Sequence, residues 1–510
     1  MVASASRGVK RKADSIGDEE REASRASRAR TDGHSAPPAT RRPKISNKVS
    51  SAGPENTPRP PKSSQRPAPI LAVMGFGSHE MGELGLGPKA TEVRRPRLIS
   101  SLDPDAKTAF HVVQLDCGGM HSLALTVDNK ILSWGVNDNG ALGRETSWDG
   151  GVRDVDADES DDQSEEADDL NPRESSPAEI LSGHFPPKTR FVQVAAGDSC
   201  SFVVTDTGLV YGWGTFVNPR GDKSFGYTDD ETRKIIEIQP VPVLVPGLKD
   251  VRQIKCGANH AIALDKRGGV WAWGVDEQKQ LGRAERSGFG RHRKDPLVPR
   301  RVEACPRGAR YIASGPYHSF AVDTRGVVWS WGLNSYGQSG CKELLAEDGG
   351  PSILPHPMKA SSLHGRRIAA IDGGAHHSVA ITVKGEFLVW GRLDAGQLGV
   401  KFSDQQFDDP TLIRRDENGR PRICLRPTLV PDIGYAAFVS CGTENTIFVN
   451  AEGTAFSAGF GPQGQLGLGE IESLDEAKEI IGKAVSGRRL TWAGTGGQFS
   501  MIAAPLTRPA

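Results

Sequence analysis

The feature that most constrains this chain is a distance. Two glycines lie 17 residues apart, and the pair recurs six times. The first glycine opens a half-motif G-x-x-H-S-x-A-L, as in Gly118-Gly119-Met120-His121-Ser122-Leu123-Ala124-Leu125, which starts again at Gly197, Gly257, Gly315, Gly374, Gly442 and Gly496. The second closes a W-G pair that is followed by G-Q-L-G, as in Trp134-Gly135 and Gly140-Ala141-Leu142-Gly143; its glycines are Gly75, Gly135, Gly214, Gly274, Gly332, Gly391 and Gly459. A fixed spacing needs rigid structure between its ends. Residues 122–126 and 131–134 alternate apolar and polar around a polar turn, and the equivalent turns carry Gly208, Gly326 and Gly385. That is β-hairpin chemistry. A lone hairpin leaves its apolar face wet, so neighbouring repeats must cover it.

The two ends of the array are complementary. The first repeat holds only the second half-motif, Met74-Gly75 through Gly82-Glu83-Leu84-Gly85, and the last holds only the first, Gly496-Gly497-Gln498-Phe499-Ser500. Together they make a seventh repeat. The expected fold is all-β, a seven-bladed β-propeller of about 60-residue repeats. Pairing of the N- and C-terminal half-repeats closes it and leaves no open sheet edge. Period and signature exclude the other propeller types. WD-type repeats run about 40–45 residues and Kelch repeats about 50, and Trp148-Asp149 is the only W-D pair here.

The propeller is expected over residues 67–510, behind a disordered basic tail over 1–66. The formal net charge of +0 conceals a segregation. The tail has 15 Lys/Arg against 7 Asp/Glu, whereas residues 149–174 have 12 Asp/Glu against two arginines. The tail is rich in Pro, Ser and Ala and cannot form a core. Its clusters Lys10-Arg11-Lys12 and Arg41-Arg42-Pro43-Lys44 suit nuclear import or contact with DNA phosphates. The acidic insertion, 149–176, reads as a solvated loop, and a second charged loop over 283–294 is basic, with Arg283, Arg286, Arg291, Arg293 and Lys294. No run of 18 apolar residues is present, so no membrane partner is expected. The N-terminus lacks the apolar stretch of a secretory signal. Seven cysteines without a C-x-x-C pair read as small buried core residues, not as a metal site or a disulfide framework.

A residue present in every blade is scaffold, and a residue present in one blade is a candidate for function. By that rule His121, His260, His318 and His377 are structural, as are Trp134, Trp213, Trp273, Trp331 and Trp390. The two positions between glycine and histidine vary instead: Gly119-Met120, Asp198-Ser199, Ala258-Asn259, Pro316-Tyr317, Ala375-His376, Thr443-Glu444 and Gly497-Gln498. Preceding a strand, they should share one face of the ring and form a binding surface there, with Asp198, His376 and Glu444 as its ionisable members. The loop from W-G to L-G is the second anomaly. It spans 8 residues glycine to glycine in five blades and 10 in the first, but 12 from Gly214 to Gly226. Residues 215–225 should therefore protrude. No phosphate-binding loop, metal-ligand spacing or nucleophilic triad stands outside the repeats, so no covalent chemistry, cofactor or metal is expected.

These repeats resemble those of the regulator of chromosome condensation family, whose members are seven-bladed propellers. The resemblance covers about 440 residues. Stretches resembling the family's Ran exchange factors in particular are Gly118-Gly119-Met120-His121, residues 137–147, and Ala196-Gly197-Asp198-Ser199. The resemblance implies catalysis of nucleotide release from the GTPase Ran, on chromatin, for nucleocytoplasmic transport and mitosis. In those factors a Trp-Gly-(Ser/Thr)-Phe segment with a polar tip forms a β-wedge that inserts into Ran. That implies a wedge here from Phe216, Asn218, Arg220, Gly221, Asp222, Lys223 and Phe225, with a tip two residues longer that contains Pro219. Asp198 and His376 match a family acid and histidine important for exchange, and Glu80 falls where the family has an acid. Asn259 stands where the family carries an aspartate. The loop with Arg291, Arg293 and Lys294 aligns with one that touches histones in the nucleosome, and the tail implies contact with DNA and a nuclear import receptor. The runner-up reading is a non-catalytic propeller scaffold of the same superfamily. The protruding loop and Asp198 favour the exchange factor.

Overall fold

The 17-residue unit is a hairpin. In the computed structural model, His121–Thr126 pairs antiparallel with Ile131–Gly135, and every equivalent pair does the same. Val112–Cys117 precedes the hairpin on the axial side and Ala178–Glu179 follows it outside, which makes blade 1. Blades 2 to 6 occupy 191–244, 251–302, 309–359, 368–429 and 436–479. Blade 5 carries a fifth strand, Ile413–Arg415. Blade 7 is assembled from both ends: Trp492–Thr495 and Phe499–Pro505 supply its inner strands, Leu71–Ser78 and Glu92–Leu98 its outer ones. Leu71 lies opposite Pro505, and Gly77 opposite Phe499. Seven blades closed by complementary half-repeats are thus present as expected. The structure describes residues 68–89, 91–149, 170–228, 232–283, 295–342, 345 and 352–506. The tail, residues 150–169 of the acidic insertion, and 284–294 of the basic loop lie outside them, and with them Lys10, Arg11, Lys12, Arg291, Arg293 and Lys294. The return arm of the acidic insertion is folded: Glu174 accepts the Thr146 hydroxyl at 2.7 Å, and its carbonyl accepts the Gly135 N–H at 2.8 Å.

The two half-motifs meet across blade interfaces and form one hydrogen-bonded unit. His318 Nε2 meets Ser378 Oγ of the next blade at 3.1 Å. That hydroxyl donates to the Gln338 carbonyl in the G-Q-x-G loop of His318's own blade, at 2.9 Å. Trp390 Nε1 donates to the same carbonyl at 3.0 Å. His121, Ser201, Ala141 and Trp213 repeat the unit between blades 1 and 2; His260, Ser319, Gln280 and Trp331 repeat it between blades 3 and 4. Between blades 5 and 6 His377, Thr446 and the Gln397 carbonyl form the unit without a tryptophan. The hydroxyl has one proton and the carbonyl takes it, so the histidine must donate from Nε2. Its bare Nδ1 edge lies against the glycine three residues earlier. A Cβ at Gly257 would come within 2.1 Å of His260 Cε1, which is why that position is glycine.

The axial strands have no sheet neighbour on their inner side, and side chains satisfy that edge. Gln193 accepts the Ile254 N–H at 3.0 Å and donates to the Ile254 carbonyl at 2.7 Å. Gln253 does the same to Ile312, Gln114 accepts from Val194, and Asp116 and Asp372 accept from Ala196 and Cys441. The axis encloses a cavity of about 420 Å³. Cys117, Cys256 and Cys441 line it half-buried and are not core residues as expected; Cys200, Cys305, Cys341 and Cys424 are buried, and all seven are free thiols. The position preceding the motif glycine ends the axial strand, and there the side chain faces the channel.

Two outcomes follow from the inter-blade unit. Ser378→Ala strands the His318 N–H and leaves the Gln338 carbonyl with Trp390 as its remaining partner, and should cost about 1–3 kcal/mol, read as a lowered urea midpoint. Burial pushes His121 down to about 4 and His260, His318 and His377 to about 3, from 6.5. The unfolded chain therefore binds more protons between those values. The stability these histidines contribute is complete above the unfolded pKa and is lost as pH falls below 6.5 toward the folded pKa values. The urea midpoint should drop between pH 7.5 and pH 5, and by less in His377→Asn, which installs the residue that blade 6 uses at Asn445.

Candidate functional site

The variable turns between glycine and histidine do share one face, and main-chain bonds chain them around the axis. Gly497 N–H donates to Gly119, Gly119 to Gly197, Asp198 to Ala258, and Ala258 to Pro316. The W-G loops rise on the same face, because the residue after each W-G donates to the neighbouring turn, as Val136 does to Met120. Asp198 is fixed through its own N–H, 2.9 Å from the Ala258 carbonyl. Its carboxylate reaches solvent, yet surrounding protein desolvates it and raises its pKa. Among the described residues it has no hydrogen bond or ion pair of its own. A cleft of about 480 Å³ joins Asp198 to Asn218, Pro219, Asn259 and Tyr317.

The loop expected to protrude forms a ribbon, Phe216–Val217 paired with Lys223–Ser224. Asn218 closes its tip: its side chain accepts the Arg220 and Asp222 N–H groups at 2.9 and 3.0 Å and donates to the Asp222 carboxylate at 2.9 Å. Gly221 takes the left-handed conformation the turn requires, at φ +86°. Pro219, Arg220, Gly221 and Asp222 are exposed, and Asn218 and Lys223 half-buried. Phe216 and Phe225, expected to touch the partner, form the root of the ribbon. Both are buried, their rings stack 6.3 Å apart, and Phe202 meets Trp273 edge-on beside them at 5.4 Å. This is the interface between blades 2 and 3, where Cys200 and Ala261 replace the histidine and serine of the inter-blade unit. The aromatic stack takes over that junction, and the ribbon grows from it. The excursion is longer than expected. A second ribbon, Gly226–Tyr227 with Ile235–Ile236, follows before the outer strand of blade 2.

His376 sits half-buried between Tyr317, 6.3 Å away, and Tyr336, 4.8 Å away and edge-on. Desolvation and then the Arg392 charge lower its pKa. Arg392 pairs with both Glu444 and Asp394 at 2.5 Å, so Glu444 is held by an internal cation. Arg422 donates to the Tyr336 hydroxyl at 2.8 Å. Tyr317 also lines the Asp198 cleft, so the structure brings Asp198, the ribbon and His376 into one continuous run over blades 2 to 5. It does not bring Glu80 into it. Glu80 is exposed on the same face in blade 7, while its neighbour Glu83 is buried, accepts the Met81 N–H at 3.0 Å, and has a carboxyl raised by burial. Of the basic loop only its first arginine is described. Arg283 binds the carbonyls of Asp295, Pro296 and Val298 and so ties the ends of that loop together. Tyr336, Arg392 and Arg422 were not anticipated. The repeat offers one signal for Arg392: it follows W-G where Val136, Val275 and Leu333 are apolar. No group of His, Cys, Asp and Glu able to hold a metal occurs among the described residues.

Residues 72–502 match the model of the RCC1-like domain. The chain is 36% identical over 440 residues to guanine nucleotide exchange factor SRM1 of Saccharomyces cerevisiae, covering 84% of this chain and 86% of that one. It is 33% identical to protein pim1 of Schizosaccharomyces pombe, covering 87% and 76%. Among solved structures, it is similar to Prp20p from Saccharomyces cerevisiae, described with its binding properties to Gsp1p and histones; the TM-score is 0.72 at 33% identity, over 86% of this chain and 92% of that one. It is also similar to yeast RCC1 (Prp20) bound to Kap60, with a TM-score of 0.73 at 31% identity, over 91% and 97%.

The charges around His376 set a measurable outcome. Arg392→Met removes the larger of the two cationic influences that lower its pKa, Arg392 over Arg422, and leaves Glu444 and Asp394, which raise it. The His376 pKa should therefore rise in an NMR titration of its ring proton; a fall would contradict the assigned cluster.

Proposed function

Because the chain belongs to the RCC1-like domain family, we propose that it is a guanine nucleotide exchange factor for the small GTPase Ran. The observation that carries this is the cleft in which a polar-tipped ribbon stands beside Asp198, a carboxylate without a hydrogen-bond or ion-pair partner among the described residues. The work required is not bond chemistry. If the propeller binds nucleotide-free GTPase more tightly than the loaded form, nucleotide binds the complex more weakly by the same factor. Each tenfold weakening corresponds to about 1.4 kcal/mol. The exposed tip, Pro219 to Asp222, closed by Asn218, displaces the phosphate-binding loop of the GTPase. Asp198, unpaired among the described residues, takes up a basic group that nucleotide phosphates otherwise engage. His376, braced by Tyr336, extends the contact across blade 5, and Glu80 contributes from blade 7.

The relatives support a setting as well as an activity. Prp20p is described with binding to histones, and yeast RCC1 with Kap60. By the same reading this chain acts on chromatin in the nucleus. Its tail, with Lys10, Arg11 and Lys12, is the segment for an import receptor and DNA, and Arg291, Arg293 and Lys294 are contacts for core histones.

Stimulated release of labelled GDP tests the activity. The chain should accelerate release from Ran and not from an unrelated GTPase. Asp198→Ala, or replacement of residues 218–222 by two glycines, should lower kcat about tenfold or more, at least about 1.4 kcal/mol of lost stabilisation. Unchanged release by both variants would sink the assignment.

A further inference from the structure

The ribbon that carries the exposed tip is too short to hold its own direction. Two residue pairs join its strands, and an isolated two-stranded ribbon is marginal in water. Its base is held by the buried Phe216 and Phe225 and by Thr215, whose hydroxyl donates to the Glu237 carbonyl at 2.5 Å. A further tie comes from another blade. Val217 N–H points away from the ribbon partner, and Asn259 Oδ1 of blade 3 accepts it at 2.7 Å.

Asn259 is itself well placed. It lies in the variable turn of blade 3, whose carbonyl accepts the Val275 N–H at 2.8 Å and whose Ala258 N–H donates to Pro316 at 3.2 Å. That turn also holds Asp198, since the Ala258 carbonyl accepts the Asp198 N–H at 2.9 Å. Two adjacent residues therefore fix the two elements of the cleft: the Ala258 carbonyl takes one N–H and the Asn259 side chain takes the other. We propose that Asn259 is a positioning residue for nucleotide exchange, holding the 215–225 ribbon in register with Asp198 by accepting the Val217 N–H. The function belongs to the acceptor oxygen and not to charge. An aspartate at this position would serve equally, so the loss of a charge at Asn259 leaves the site intact.

The inference rests on the exchange reading and is tested with the full chain and fluorescent GDP on Ran. Asn259→Leu should lower kcat roughly tenfold to a hundredfold, as misplaced contacts do, with KM changed less. Asn259→Asp should stay within about threefold of the parent, because the acceptor remains. If Asn259 acts through the ribbon, Asn259→Leu should cause no further loss once residues 218–222 are replaced by two glycines. Amide exchange at Val217 should speed up in Asn259→Leu and not in Asn259→Asp. Should leucine destabilise the blade, Asn259→Ala carries the same comparisons. The inference is overturned if Asn259→Leu matches the parent, if Asn259→Asp is as slow as Asn259→Leu, or if the losses multiply in the ribbon-less background. A parent chain that stimulates no release overturns the exchange reading, and the inference with it.

Discussion

The shared carbonyl at each blade interface is the constraint on which the rest depends. In the full units it accepts a hydroxyl and an indole N–H from the next blade, and a histidine from its own blade completes the circuit. Other motif positions serve that junction. The glycine three residues before each histidine admits the ring, the tryptophan needs the carbonyl, and the G-Q-L-G glutamine shapes the loop that presents it, as Gln338 does by accepting the Tyr336 N–H at 2.9 Å. The two half-motifs supply the two sides of this buried network, and they recur together at a fixed separation.

The ribbon of the candidate site stands at one of the interfaces where the network is interrupted. Between blades 2 and 3 there is no histidine and no serine, and Phe202, Phe216, Phe225 and Trp273 supply the contact instead. Phe216 and Phe225 anchor both ends of the loop in that stack, and the residues between them extend. The turn that holds His376 keeps the junction beneath it, through His377 and Thr446, whereas Asp198, in the turn before Cys200, is fixed by its N–H on the Ala258 carbonyl. The main-chain bonds from Gly497 round to Pro316 tie these turns into one surface. Mobile scaffolding would spread such contacts over many geometries; this one presents them in a single arrangement.

Much of this was legible in the sequence, because periodicity reports on the parts that repeat. Blade number, the hairpin, closure by the two ends, and the scaffold role of His121, His260, His318 and His377 all follow from spacing. The positions that depart from the repeat were also found, including Asp198, His376 and the 215–225 loop. What escaped was the direction of side chains within a departure. Phe216 and Phe225 read as wedge residues, and only packing against Phe202 and Trp273 reveals them as its buried root. Asn259 read as a lost charge, whereas its oxygen is a hydrogen-bond acceptor. Tyr336 comes from the preceding blade, while Arg392 and Arg422 come from strands of His376's own blade, a gathering of side chains that spacing does not report. The axial edge was invisible for a related reason: the glutamines that satisfy it, Gln114, Gln193 and Gln253, occur in just three blades.

Blade 7 ties the beginning of the propeller to its end. Leu71–Ser78 has one sheet neighbour, Glu92–Leu98, until Phe499–Pro505 arrives from the other terminus. During synthesis that early strand must wait while more than four hundred residues emerge, with the edge meant for Phe499–Pro505 open. A message cut short even slightly yields six built blades and a gap lined by Val73, Phe76 and Trp134, all fully buried in the finished ring. Such a product exposes apolar surface that quality-control proteases recognise. Closure at the last strand thus makes completeness of the polypeptide a condition for a ring that persists.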